Sequence, residues 1–322
     1  MNLKAELICL RRPVVMALLL AVAVLCVSYI VMFQEAAAWS AEHHGKRLGQ
    51  ALDDIGSSGQ VSSESESQTS LYEEVLSSLD GLSALRPDLS YVASTQTPLG
   101  CLGASAGLMC SGIGFFALLV LAGVHVAGEW QRKTIKEFYR GRRQALDFVL
   151  SKFVSLFLMG LILLVCAWAA LALWGIISQR VFPIPFALSV RETWHWVYPV
   201  LVGLPVVLFF YAALGVTLGV VLREVAAVIV GGATGFLALS WLSRFEAVAT
   251  FSPFSWAIAC VLSSRQASAD GAGLLRSLCS DWSPVFASGQ VSGLWATVLL
   301  GALSAALLWG SWLLLWTSDA VR

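Results

Sequence analysis

One short pattern in this sequence contains residue types that enzymes use. Gly103-Ala104-Ser105-Ala106-Gly107 matches GxSxG, a pattern that presents a nucleophilic serine in many hydrolases. Such a serine needs a histidine base within hydrogen-bond reach. His125 follows about five turns later on the same predicted helix, roughly 30 Å away at 1.5 Å per residue, and His195 falls in a predicted loop. The spacing therefore argues against a serine protease, and the glycines are interpreted as a helix-packing face, like Gly215/Gly219 and Gly231/Gly235.

The sequence also lacks the common motifs for nucleotide and metal binding. The sequence has no GxxxxGK[ST] segment, and its one Gly-Lys pair, Gly45-Lys46, continues into Arg47. It has no HExxH, and His43-His44 has no companions at metal-ligand spacing. The seven cysteines form no CxxC pair. We therefore expect a non-catalytic chain with no catalytic residue, no cofactor and no metal of its own.

The composition is that of a membrane protein. Hydrophobic residues make up 58% of the 322 positions, charged residues only 12%, and the mean hydropathy is +0.78; soluble chains carry about 25% charged residues. Twenty basic residues balance twenty acidic ones, so no overall field attracts phosphate. A soluble enzyme, a disordered tail and a nucleic-acid binder are excluded.

Six charge-free apolar runs are each long enough to cross about 30 Å of hydrocarbon as a helix. We expect an all-α polytopic protein without a charged residue inside any span. That inventory argues against an ion-coupled carrier and a charge-selective channel, which keep ionisable groups near mid-membrane. The six predicted spans are residues 14–33, 106–127, 153–178, 197–222, 225–243 and 294–316, of which the third to fifth occupy 153–243.

The distribution of basic residues orients these spans. With the N-terminus inside, twelve of the twenty Lys and Arg fall in 46 inside residues and eight in 140 outside residues. This is the positive-inside pattern, so both termini are predicted to be cytoplasmic. The first span could also be read as a cleaved signal peptide, but its apolar run of twenty exceeds the usual h-region of about 7–15, which favours a retained anchor. The inside segments are 1–13, 128–152, 223–224 and the tail 317–322.

Two larger pieces are predicted outside the cytoplasm. Residues 34–105 carry two apolar stripes at helical spacing, joined by a Gly/Ser-rich linker, and predict a helical hairpin with ten acidic residues between Glu35 and Asp88. Residues 244–293 contain an apolar run too short to span, which predicts a re-entrant or interfacial helix pair. A Cys101–Cys279 bridge and free thiols are equally compatible with the sequence.

The cytoplasmic segment 128–152 predicts a short amphipathic helix. Trp130, Ile135 and Phe138 share one side, with basic residues elsewhere around it, and Gly141 ends it. Such a helix either lies on anionic lipid or docks in a groove of a partner protein. From the residues alone, lipid contact is slightly favoured.

Short motifs along the chain form a familiar set: Glu6-Leu7 and Arg11-Arg12-Pro13 before the first span, Glu129, Thr134-Ile135, Arg142-Arg143 and Lys152 in the cytoplasmic loop, and Ser252-Pro253-Phe254 in the outer region. These motifs and the order of the parts resemble the permease subunit of type 2 ABC exporters over essentially the whole chain, with the first motif as its elbow. The sequence departs from the family pattern at two places in the cytoplasmic helix: Lys133 stands where the family often has Gly, and residues 140–143 replace its Pro-x-Ser-Arg.

The resemblance implies a pathway formed by two permease subunits, the second being the same or a homologous chain, in a bacterial cytoplasmic membrane. A separate cytosolic ATPase dimer would hold ATP and Mg and drive transport. Residues 129–140 would be the coupling helix, so docking on the ATPase now outranks lipid contact there, and membrane lipid is the remaining partner. The coupling residues implied are Glu129, Trp130, Lys133, Thr134, Ile135, Phe138, Arg142 and Lys152.

A different class of function is also open. The chain could be a polytopic scaffold or sensor that recruits a partner through the acidic hairpin 34–105. Deleting the hairpin separates the two hypotheses, because a scaffold would lose all function. For an exporter, the uncharged spans give a weak lean towards an amphipathic or lipid-like cargo.

Overall fold

The computed structural model describes residues 97–110, 112–131, 142–181, 190–242, 245, 250–262 and 293–317. Every regular element in these ranges is helical, and they contain no strand. The helices are α1 (Pro98–Cys110), α2 (Gly112–Gln131, with a π turn at Gly123–Ala127), α3 (Arg142–Val181), α4 (Val190–Leu222), α5 (Val225–Leu242), α6 (Pro253–Leu262) and α7 (Gly293–Thr317).

Four stretches are long and apolar enough to cross a membrane, which indicates a membrane-embedded helical protein. They are Gly112–Gln131, Ala145–Ile177, Val200–Leu222 and Gly293–Thr317, whereas the apolar stretches of α1 and α5 are shorter. The predicted first span, residues 34–96 of the hairpin, residues 132–141 of the coupling loop and the tail after Thr317 lie outside the described residues.

The third to sixth predicted spans fall on α3, α4, α5 and α7 to within a residue, but α3 starts earlier than its span. It begins at Arg142, eleven residues before the predicted start at position 153. The spans were defined by the absence of charge, and Asp147 and Lys152 interrupt an otherwise apolar stretch of α3. The apolar stretch Ala145–Ile177 therefore begins before the predicted span and includes Asp147 and Lys152, which precede position 153.

The predicted second span is divided between two helices. α1 ends at Cys110 and α2 begins at Gly112, and ten of the thirteen residues of α1 are buried. A side chain at Gly114 would collide with the backbone of Met109, so glycine is needed there for the close approach of the two turns. The Tyr211 hydroxyl on α4 donates to Cys110 O at 2.7 Å, which satisfies a carbonyl at the break.

α4 is the central helix, since it packs against each of the other six described helices. Where α4 meets α2, two glycines of α4 take the place of larger side chains. A Cβ at Gly215 would lie 2.8 Å from Ala122 Cβ, and a Cβ at Gly219 would lie 2.7 Å from Val126 Cβ. This confirms the predicted packing face of α4.

The corresponding prediction for α5 is wrong at Gly235, where an added Cβ would meet no atom within 4 Å. The close approach is instead made by Gly232, which lies against Leu119 of α2. Spacing alone proposed the Gly231/Gly235 pair, but the rotation of α5 about its axis decides which glycine faces a neighbour.

The short helix α6 lies against an aromatic cluster formed by Phe115, Phe210, Tyr211, Phe236 and Phe254. The Phe254 ring, on α6, packs edge-on against Phe236 at 4.7 Å and against Phe115 at 5.1 Å between centroids. A short helix within 244–293 agrees with the apolar run that was too short to span. Its partner in the predicted helix pair lies outside the described residues.

Candidate functional site: a charged cluster where α2, α3 and α4 meet

The last turns of α2 carry the polar residues of the site. Between Gly123 and Ala127 the helix widens into a single π turn, a feature found frequently at functional sites. Gly123 faces α5, where an added Cβ would lie in ordinary van der Waals contact with Val225 O at 3.4 Å. The π turn holds His125, 8% exposed, and leads into Glu129 and Trp130.

An ion pair joins α2 to α3, the two helices that flank residues 132–141 in the sequence. The Lys152 ammonium donates to Glu129 Oε1; the lysine side chain is fully buried, and that of Glu129 is 28% exposed. Lys152 Nζ also lies 5.5 Å from the centre of the Phe148 ring, a cation–π contact on the same helix. A buried ammonium without its counter-charge is strongly unfavourable, so Glu129 fixes the position of α3 relative to α2.

A second link runs parallel to the ion pair, one turn away. Ser155 Oγ donates to Lys152 O at 2.9 Å and lies 2.8 Å from His125 Nε2. The direction of the bond between Ser155 and His125 depends on which ring nitrogen of the histidine carries the proton. In either tautomer this bond links α3 to α2 beside the ion pair.

Ser105, the serine of the GxSxG pattern, is fully buried in α1 and donates to Leu102 O at 2.8 Å. Gly103 and Gly107 on either side are buried as well. This geometry agrees with the packing interpretation of the motif.

Arg223 connects the site to the turn between α4 and α5. Its guanidinium carbon lies 4.3 Å from the centre of the Trp130 ring, and its Nε–H donates to Val220 O at 3.4 Å. Its backbone has φ 55°, in the left-handed region that favours glycine at a helix C-terminus. An arginine in this conformation combines a cap for α4 with a cation stacked on the end of α2.

The structure places some of the predicted coupling residues together. Glu129 and Lys152 form the ion pair, Trp130 stacks with Arg223, and Arg142 is the first residue of α3. Lys133, Thr134, Ile135 and Phe138 lie outside the described residues. Glu129 and Lys152 thus join the two helices that flank residues 132–141 in the sequence.

His125, Ser155 and Arg223 were absent from the sequence-predicted site. His125 and Glu129 are four positions apart on one helix, and Lys152 and Ser155 are three apart on the next, spacings that place each pair on one face. That pattern was available in the sequence. The contact of Arg223 with Trp130 depends on how α4 crosses α2, for which no local signal exists.

Within the described ranges, no group of three His, Cys, Asp or Glu side chains is placed to hold a metal ion. The cluster links the last turn of α2 to α3, about three turns after the start of α3, and to the turn between α4 and α5. No protein-family model, curated protein or solved structure matches this chain.

Proposed function

We propose that this chain is the membrane-spanning permease subunit of an ATP-driven exporter of the type 2 ABC class. It would form the pathway as a dimer with a second permease subunit and would itself be non-catalytic. A separate cytosolic ATPase dimer would bind ATP and Mg and act on the loop 129–140, in a cell membrane. The observation that carries the proposal is the Lys152–Glu129 pair, which links the last turn of α2 to α3 from either side of residues 132–141.

The pair supports this function because a coupling loop must transmit force without yielding at its base. A displacement of residues 132–141 would reach the end of α2 and the start of α3 directly, and the ion pair would make the two helices move together because it joins the last turn of α2 to α3 about three turns after its start. Trp130 passes the displacement to Arg223 and so to the start of α5. The four apolar helices long enough to cross a membrane would be the segments that this displacement moves.

Co-purification with a P-loop ATPase from membranes of cells expressing the full chain tests the proposal. Glutamate at Ile135 and Phe138 together would place two charges on the predicted docking side, so we expect loss of the ATPase, identified by mass spectrometry. The matched control places two glutamates at Arg132 and Lys136, on the other side of the predicted helix. An ATPase retained by I135E/F138E, or no ATPase with the unaltered chain, would contradict the proposal.

A further inference from the structure

The start of α6 contains two serine hydroxyls that are shielded from solvent and make no hydrogen bond within the described part of the chain. Ser252 immediately precedes the helix and is 2% exposed, and Ser255 is its third residue. Oγ of each is buried without a partner. Hydroxyls buried in this way are rare in native structures, because they lose their bonds to water without replacement.

The position of these serines is unusual as well. A serine at the N-cap normally accepts a bond from an N–H of the first turn, and a polar residue three positions later lies on the same side. Ser252 Oγ makes no such bond. The helix ladder starts with Trp256 N–H donating to Ser252 O at 3.1 Å, so the N–H groups of Phe254 and Ser255 precede its first bond.

These donors match one ligand chemistry. Two hydroxyls and the first N–H groups, at the positive end of the dipole of a ten-residue helix, are the groups that bind carboxylate or phosphate oxygens. The indole N–H of Trp256 is not part of the set, because it donates to Thr250 O at 2.7 Å.

The surroundings favour an apolar body attached to such a head group. Phe254, between the two serines, is buried against Phe115 and Phe236. Phe251, the residue before Ser252, is 76% exposed. The orphan hydroxyls are therefore adjacent in sequence to an exposed phenylalanine and to a buried one, rings that an alkyl chain can contact.

We propose that the start of α6 is a binding site for the oxyanion head of an amphipathic molecule, with Ser252 and Ser255 as the hydroxyl donors. The site is closed in this structure and opens when α6 shifts from its aromatic contacts. The inference goes beyond the proposed function and needs no ATPase, so either can fail alone.

The test uses the purified full-length chain in phosphatidylcholine nanodiscs, with decanoate, decyl phosphate and decanol as probes. Decanoate, decyl phosphate or both should raise the unfolding temperature, and decanol should not. Which anion acts identifies the head group. An equal shift with decanol, or no shift with either anion, would overturn the proposal without recourse to any variant.

Serine variants locate the effect. The double variant S252A/S255A should lose at least half of the anion-induced shift. The control S304A removes a buried hydroxyl that already donates to Leu300 O at 2.6 Å and should keep the full shift. Without ligand, S252A/S255A should unfold at the same temperature as the unaltered chain or above it, because orphan groups are removed. Two results would count against the site. One is an anion-induced rise in unfolding temperature in S252A/S255A as large as in the unaltered chain. The other is a drop in the ligand-free unfolding temperature of S252A/S255A that exceeds the drop in S304A.

Discussion

Glu129 and Lys152 are 23 positions apart in the sequence and meet where α2 and α3 lie side by side, with the lysine ammonium donating to Glu129 Oε1. The two partners differ in their access to water, since the Lys152 side chain is fully buried and that of Glu129 is 28% exposed. This asymmetry makes the pair testable, because removing either partner leaves a different charge behind.

Replacing Glu129 by Met should destabilise the protein more than replacing Lys152 by Met. E129M removes the carboxylate that pairs with a fully buried ammonium, which costs on the order of 3 kcal/mol. K152M leaves a carboxylate that reaches water and should cost roughly 1 kcal/mol. Thermal unfolding of the purified variants gives the order.

The double variant E129M/K152M is the control for this pair. It replaces both charges by apolar side chains of similar length and should be more stable than E129M. Equal losses in the two single variants, or a double variant as unstable as the sum of its parts, would show that the pair does not hold α2 to α3.

Replacing Arg223 by Ala should lower the free energy of unfolding more than replacing it by Gly. Both variants lose the contact with Trp130 and the bond to Val220 O. Alanine retains the strain of the left-handed backbone at φ 55°, whereas glycine relieves it. We expect R223G to exceed R223A in unfolding free energy by about 1 kcal/mol.

R223K completes this series, because it keeps the cation while losing the planar guanidinium that stacks on Trp130. Its stability should lie between that of the unaltered chain and that of R223A in the same unfolding measurement. If R223A proves as stable as R223G, the backbone conformation assigned to Arg223 is incorrect.

How much of this architecture is visible in the sequence depends on the range of the interaction. The positions of α4, α5 and α7 follow from unbroken apolar runs, a local property, and the predicted spans 197–222, 225–243 and 294–316 fall on these helices within a residue or lie inside them. The break between α1 and α2 was missed. It involves Tyr211, 101 positions from the carbonyl that its hydroxyl satisfies, and no window of sequence contains both.

In the candidate site, too, the contacts between helices could not be read from local sequence. Glu129 and Lys152 were named through a family resemblance, but their pairing depends on the packing of α2 against α3. Arg223 was counted only as a basic residue of a short cytoplasmic turn. Its left-handed backbone and its place over Trp130 arise from the crossing of α2 and α4, which Gly215 and Gly219 make close.

Those glycines should not tolerate even a methyl group. In G219A the new Cβ would stand 2.7 Å from Val126 Cβ, and in G215A 2.8 Å from Ala122 Cβ, so α2 and α4 would have to separate. We expect each to cost about 1–3 kcal/mol, measured by thermal unfolding. G235A is the matched control: it meets no atom within 4 Å and should leave stability unchanged or slightly raised, since Ala favours a helix over Gly. Equal effects at the three positions would contradict the α2–α4 contact.

Tyr211→Phe should destabilise the break between α1 and α2 without changing the aromatic packing. The variant keeps the ring, which lies edge-on to Phe115 at 5.4 Å between centroids, but removes the hydroxyl that donates to Cys110 O. Tyr211 is 3% exposed, so the variant removes a buried hydrogen bond to Cys110 O, at a cost of about 1–3 kcal/mol. Hydrogen exchange should show faster opening of the last turn of α1, which carries the bonded carbonyl. Tyr198→Phe, at a residue 54% exposed, is the control that removes a hydroxyl water can replace and should change neither property. A Tyr211→Phe protein with the unfolding temperature and exchange of the control would mean that the break is held by the Gly114 backbone contact alone.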